Sequence, residues 1–309
     1  MDTFIQQIIN GLVLGSMYAL VALGYTMVYG VLNLINFAHG DVLMIGAMVG
    51  LSILKLLDSV FPGLPGYVAL AIAILGAIPV CMLVNVIIER VAYRRLRNAP
   101  RLAPLITAIG VSLLLSTFAM MIWGRSPLPF PQLLSTEPIN IGGAVISQTQ
   151  VLLLALAALS MGGLVLLVEK TKMGRAMRAT AENPRVAGLM GVDSNKVIVY
   201  TFVIGAALAA VAGVMWGANY SSIQFAMGFL PGLKAFSAAV LGGIGNIYGA
   251  MIGGVLLGLI ESLGAGYIGD LTGGFLGSHY QDIFAFVVLI VVLTIRPSGI
   301  MGERVADRA

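Results

Sequence analysis

Long apolar runs separated by short polar punctuation dominate the chain. They lie roughly over 4–32, 37–57, 66–88, 102–123, 150–168, 197–218, 228–241, 247–268 and 280–295. A helix that crosses a bilayer needs about 20 mainly apolar residues, and most of these runs supply them. The pattern therefore predicts an all-α polytopic integral membrane protein with about 8–9 transmembrane or re-entrant helices. Two runs are irregular. The 37–57 run follows its neighbour after only Asn33-Leu34-Ile35-Asn36, and 228–241 is short. For both, a full span and a re-entrant or broken helix remain open.

Composition agrees and narrows the chemistry. Hydrophobic residues make up 59% of the 309 positions and charged residues 10%, with a mean hydropathy of +1.00. Soluble domains carry roughly 25% charged residues, so secreted, DNA-binding and cytosolic enzyme classes are excluded. No soluble domain or internal repeat interrupts residues 1–309, which read as one transmembrane domain. Cys81 is the only cysteine, and His39 and His279 stand far apart with no H-E-x-x-H motif. No metal site and no catalytic residue is expected. An intramembrane hydrolase built on Ser16 and His279 would lack an orienting group and an oxyanion motif. Met1-Asp2, with no basic residue before Lys55, reads as the absence of a cleavable signal peptide.

Lys and Arg set the orientation. Residues 89–101 hold Arg90, Arg94, Arg95, Arg97 and Arg101; residues 169–196 hold Lys170, Lys172, Arg175, Arg178, Arg185 and Lys196; the tail adds Arg296, Arg304 and Arg308. These stretches contain 14 of the 17 basic residues, so all three are expected on the cytoplasmic side. With three spans before Arg90 the N-terminus lies outside. The Pro-rich stretch 124–149 reads as an ordered, non-helical external loop. The 89–101 run is read as a solvated, orienting charge run, and the basic clusters call for no nucleic-acid partner.

The 169–196 stretch is too long for a simple connector, which usually runs ~2–8 residues, and it carries helix punctuation. Asn183-Pro184 reads as an N-cap followed by proline at the first helical position. Gly191 reads as the stop after Arg185–Met190, and Asp193 or Ser194 as the cap of the next span. An Ala-rich helix over Arg175–Glu182 precedes them. The product is a compact basic knob with apolar Val186, Ala187, Leu189 and Met190. It reads either as an amphipathic segment on the membrane surface or as a plug for a partner's groove. No P-loop occurs, so the chain has no ATP site of that kind.

Gly174-Arg175-Ala176-Met177-Arg178-Ala179 followed by Ala187-x-x-x-Gly191 resembles the coupling loop of ABC importer permeases. Four more segments point to the branched-chain amino acid permeases, LivH type: Gly24–Gly30 (GYTMVYG), Ile35–Gly40 (INFAHG), Glu89–Arg94 (ERVAYR) and Ala238–Gly245 (AAVLGGIG). The likeness runs over nearly the whole chain and departs at Arg95, where family members often carry proline. It implies a pore subunit of a bacterial inner (cytoplasmic) membrane importer for branched-chain amino acids. Its implied partners are a second related permease, two ABC ATPase subunits that use ATP and Mg, and a periplasmic substrate-binding protein that supplies most of the selectivity. No cofactor is expected on this chain. The resemblance makes Gly174, Arg175, Arg178, Glu182, Pro184, Ala187 and Gly191 the ATPase-coupling residues.

Polar groups inside apolar runs mark a pathway or a pairing. Asn33, Asn36, His39 and Asp41 cluster at the first junction. They read as a substrate-facing element at a broken helix, or as structure, with Asn36 or Asp41 capping a helix end and His39 satisfying a carbonyl. The orientation puts this junction near the cytoplasmic surface, which favours structure. Lys234 follows Pro231-Gly232, and snorkelling to the outer surface is favoured over facing a cavity. Glu261 sits late in its span. If such acids were coupling sites, the alternative would be a proton- or sodium-coupled secondary amino acid transporter, which leaves the 169–196 knob without a purpose. Finally, Gly245, Gly249 and Gly253, and Ala250, Gly254, Gly258 and Ser262, recur every four residues. Such smooth stripes admit close helix packing, within the subunit or against a second permease.

Overall fold

Polar punctuation between the apolar runs supplies the helix ends. A computed structural model of the chain describes residues 2–97, 99–100, 102–134, 138–141, 143–271 and 281–302. The elements are α1 (Asp2–Leu32), α2 (His39–Val60), α3 (Gly66–Ile88) continuing through a π-helical turn (Glu89–Tyr93) into α4 (Arg94–Leu96), and α5 (Leu102–Trp123). Strands β1 (Leu128–Pro129), β2 (Ile139–Ile141) and β3 (Ala144–Ile146) follow. Then come α6 (Gln148–Lys170), α7 (Lys172–Glu182), α8 (Pro184–Leu189) and α9 (Ser194–Tyr220). Strand β4 (Ser222–Ile223), α10 (Phe229–Gly242), α11 (Ile247–Leu271) and α12 (Gln281–Ile295) complete the order. Among the described residues seven helices are long and apolar enough to span a membrane, and two shorter apolar helices, within α10 and α12, accompany them. The chain is a multi-pass, all-α membrane protein.

The 124–147 stretch contains no helix among its described residues; β1 pairs with β4 and β2 with β3, both antiparallel. Ser147 then starts α6 with a capping box, its hydroxyl accepting from Gln150 N and its own N–H donating to Gln150 Oε1. One end of the bundle collects Arg94, Arg97, α7, α8 and the ends of α1, α10 and α12. This is the basic end of the bundle.

Helices α1 and α11 run antiparallel, backbone against backbone. A Cβ built on Gly254 would lie 2.5 Å from Ala19 Cα, and one on Gly15 would lie 2.8 Å from Val255 Cα. On the same face, Ser262 donates to Gln7 O at 2.7 Å. The adjoining stripe packs on α10, with Gly249 against Gly242 and Gly253 against Ala238 O and Gly242. Both stripes are therefore used inside this chain. Gly245 departs from that stripe: it sits in the α10–α11 turn at φ +97°, a backbone region that glycine enters without strain, and lies beside Gly30 and Tyr29 of α1 instead of on α10.

The two irregular runs become helices that start inside the bundle. Asn33 ends α1 at φ +52°, and residues 33–38 turn back without helix. When α2 begins, the His39 ring rests on Gly24, about 12 Å short of the end of α1 at 1.5 Å per residue. From the opposite end, the chain leaves α9 at Ser221 (φ +54°) and descends to α10. The two starts meet, with Gly228 and Gly232 against the backbone of Gly40. Unwound backbone at this depth is tolerated only where protein or a cavity surrounds it, and both conditions are met here.

Candidate functional site

Above the junction, away from the basic end, lies a cavity of about 660 Å³. Its apolar wall includes Val13, Leu14, Met17, Met227 and Leu230, while Asn10, Gln150, Asn219 and Gln224 rim it with amides. At its base sit the charges. Lys234 Nζ is 2.6 Å from Glu261 Oε1 and 2.6 Å from Asp282 Oδ1, and the Tyr18 hydroxyl donates to Glu261 Oε2 at 3.0 Å. The ammonium also stands 5.8 Å from the Tyr18 ring centre, a cation–π distance. Trp216 and Tyr220, tilted against each other with centroids 4.8 Å apart, form the adjoining wall. Lys234 thus faces the cavity. Snorkelling is overturned because two carboxylates compensate the ammonium within the bundle.

A second cavity of about 950 Å³ opens at the basic end, lined by Thr26, Tyr29, Asn33, Glu169, Met177, Arg178, Asn246 and Tyr248 among others. Along α1 the first cavity ends at Tyr18 and the second begins at Thr26. The layer between them is aromatic. Tyr25 packs edge-on to His39 at 5.1 Å and to Phe236 at 6.0 Å, and Phe37 lies 5.3 Å from Phe236. Asn36, His39 and Asp41 belong to this septum region and line neither cavity. Asn36 is structural: its Oδ1 accepts from Ala38 N and from the Tyr93 hydroxyl. His39 differs from expectation, because it satisfies no carbonyl; both ring nitrogens are buried without a hydrogen-bond partner. Asp41 does not cap α2, whose cap position is Ala38; its carboxylate meets the Ser112 hydroxyl of α5.

The 169–196 stretch folds as two short helices on the basic end. Thr171, not foreseen as a cap, accepts from Gly174 N at 3.1 Å and starts α7. Gly174 packs on the backbone of Val168, and Arg178 donates to Val168 O. Asn183 Oδ1 accepts from Arg185 N and Val186 N with Pro184 at the first position of α8. Gly191 turns the chain at φ +84°, and Asp193 accepts from Asn195 N and Lys196 N to start α9. The bonds from Lys196 N and Asn195 N, together with the Lys196 ammonium, hold the Asp193 carboxyl below its ordinary value. Ala187 is buried, whereas Arg175, Glu182 and Pro184 are exposed. Leu189 and Met190 are 83% and 81% exposed, leaving the tip of the knob apolar and uncovered.

The 89–101 run is also more than a solvated face. Glu89 is fully buried; it accepts from Arg94 at 3.2 Å and from Arg97, which also donates to Asn195 beside the knob. The buried acid gathers these guanidiniums because an unpaired carboxylate at that depth is costly. From the same π-helical turn Tyr93 reaches Asn36. The base of the knob and the broken start of α2 thus share a bonded frame.

Residues 7–293 match the model of a family described as "Branched-chain amino acid transport system / permease component". The chain belongs to this permease family. It is 46% identical over 305 residues to the high-affinity branched-chain amino acid transport system permease protein BraD of Pseudomonas aeruginosa, covering 97% of this chain and 96% of that one. Identity to the Escherichia coli K12 permease protein LivH is 44% over 306 residues, with 97% and 96% covered. A probable LivH of Methanocaldococcus jannaschii is 32% identical over 307 residues, with 95% and 91% covered. No solved structure matches the chain.

In this permease the first cavity joins Lys234 and Glu261, Asn33 lines the second, and the septum holds Asn36, His39 and Asp41. Tyr18, Asp282, Tyr25, Phe236 and Glu89 were not foreseen as parts of a site. Asp282 had a signal, being an acid at the head of the last apolar run; Tyr18 had none. Ser16 donates to Val13 O on its own helix, and His279 lies outside the described residues.

Proposed function

We propose that this permease forms half of the pore of an ATP-driven importer for branched-chain amino acids in a bacterial inner membrane. In this reading the whole chain is one transmembrane domain. The basic end faces the cytoplasm, as the positive-inside rule favours, and the N-terminus lies outside. A second related permease completes the pore, two ATPase subunits hydrolyse ATP with Mg, and a periplasmic binding protein delivers substrate and sets most of the selectivity. The observation that carries the reading is the knob: a capped, braced pair of helices whose apolar tip is covered by nothing among the described residues. Apolar surface of this kind, rimmed by charge, suits a partner's groove.

The mechanism follows from two cavities and one septum. Closure of the ATPase pair pushes α8; α7, tied to α6 through Gly174 and Arg178, passes the displacement to the bundle. The Arg97–Asn195 and Tyr93–Asn36 bonds connect that base to the start of α2, and α10 starts against it. Parting these starts opens the aromatic layer between the cavities. A secondary carrier driven by ions would use neither the knob nor a partner.

Proteoliposomes with and without the ATPases and binding protein test this. The expected result is uptake of labelled leucine that requires ATP and all partners, and that Arg178→Glu abolishes without loss of protein. Uptake by the chain alone, driven by a proton or sodium gradient and indifferent to Arg178→Glu, overturns it.

A further inference from the structure

The charge cluster of the outer cavity is unequal in a way that suits a particular ligand. Glu261 is 2% exposed, and each of its oxygens is engaged, one by the Tyr18 hydroxyl and one by Lys234 in a proper hydrogen bond. Asp282 is 38% exposed. Its Oδ1 approaches Lys234 to 2.6 Å but without hydrogen-bond alignment. One ammonium therefore serves two carboxylates at equal distance, through a hydrogen bond on the α11 side and a bare ion contact on the α12 side.

We propose that the Lys234–Asp282 contact is a recognition element for the zwitterionic head of an α-amino acid. The ligand's carboxylate takes the place of Asp282 on Lys234, and its ammonium pairs with the freed Asp282. Glu261 stays locked to Lys234 and Tyr18 throughout. The exchange brings a second cation to the cluster: Lys234 still serves two carboxylates, Glu261 and the ligand's, while Asp282 gains an ammonium of its own, which matters most away from bulk water. The side chain then points to the apolar wall of Val13, Leu14, Met17, Met227 and Leu230. A volume of about 660 Å³ is ample for such a ligand. Asp282 and Lys234 thus set specificity for the head group, and α10 and α12 exchange their direct bond for one through substrate.

This assignment rests on the importer reading for its substrate class, but its test needs no partner. Trp216 lines the cavity, and Trp123 is the only other tryptophan. In the full chain carrying Trp123→Phe, in lipid nanodiscs, Trp216 emission is titrated with L-leucine, 4-methylpentanoate (no ammonium) and 3-methylbutylamine (no carboxylate). The expected result is a saturable change with leucine and at least about tenfold weaker responses to each analogue, the scale of one lost charge pair. Asp282→Asn weakens leucine about tenfold or more, and Asp282→Glu restores most of it. No response to leucine, equal responses to either analogue, or an unchanged titration in Asp282→Asn overturns the assignment. Leucine binding without partner-dependent uptake would retain the site and reject the importer; coupled uptake with no head-group dependence would reject the site alone.

Discussion

The α1–α11 seam and the α8 knob are built from the same residue types to opposite ends. In the seam glycine and alanine bring two long helices into backbone contact, so nothing there yields without breaking the pair. In the knob Gly188 has open space around it, and Leu189 and Met190 face outward. Rigid bodies transmit motion and open surfaces receive it, so the difference assigns the seam to the lever and the knob to the handle of the proposed coupling.

Adding one methyl group to each region separates them most strongly. Gly254→Ala places its Cβ against Ala19 and is expected to cost about 1–3 kcal/mol, and Gly254→Leu to abolish recovery of folded protein from membranes. Gly188→Ala meets nothing and should stabilise by about 0.5–1 kcal/mol through lost backbone freedom. Thermal unfolding in detergent checks both signs. Equal costs at the two sites would erase the distinction.

Placing charge on the knob is the next largest effect, and it should fall on coupling alone. Leu189→Asp and Met190→Asp leave folded yield unchanged, because both side chains are exposed. Each should lower ATP-dependent uptake about tenfold or more, as expected for an apolar anchor lost from a partner's pocket. A drop in yield with retained uptake per molecule would make the tip structural.

The caps inside the knob give smaller changes. Asn183→Ala removes the acceptor for Arg185 N and Val186 N and should cost α8 about 1 kcal/mol, read as faster amide exchange over 184–189. For Asp193 the effect is one of pH. Its folded carboxyl titrates below its ordinary value, so its stabilisation of the α9 start is present above the ordinary carboxylate range. That stabilisation is lost as pH falls through the lowered folded value, and Asp193→Asn should remove this acid dependence.

Much of this fold is legible in the sequence because hydropathy reports helices directly. Gly66–Ile88 and Leu102–Trp123 coincide with their apolar runs, and the two runs that broke the rule, 37–57 and 228–241, became the helices that begin inside the bundle. The punctuation of the knob is local chemistry and reads the same way. The sites are different. Whether Lys234 reaches Glu261 and Asp282 or the surface depends on the rotation of three helices, which no spacing along one of them encodes. His39 misleads for the same reason: a carbonyl partner is the usual expectation, but Gly24 and Gly205 leave room for the ring and put no acceptor beside it. Glu89 lies in a basic run, and only the packing of α3 against α9 reveals that the run closes over it.

The claim on which transport turns is that the two cavities are ends of one path, closed at the aromatic septum. Its most direct test links Tyr25→Cys to Phe236→Cys with a short bifunctional thiol reagent, in a Cys81→Ala background, in proteoliposomes with the ATPases and binding protein. The predicted result is loss of leucine uptake on linking, continued ATP hydrolysis, and recovery when a cleavable linker is cut. Undiminished uptake with the septum linked would contradict it and place the path elsewhere.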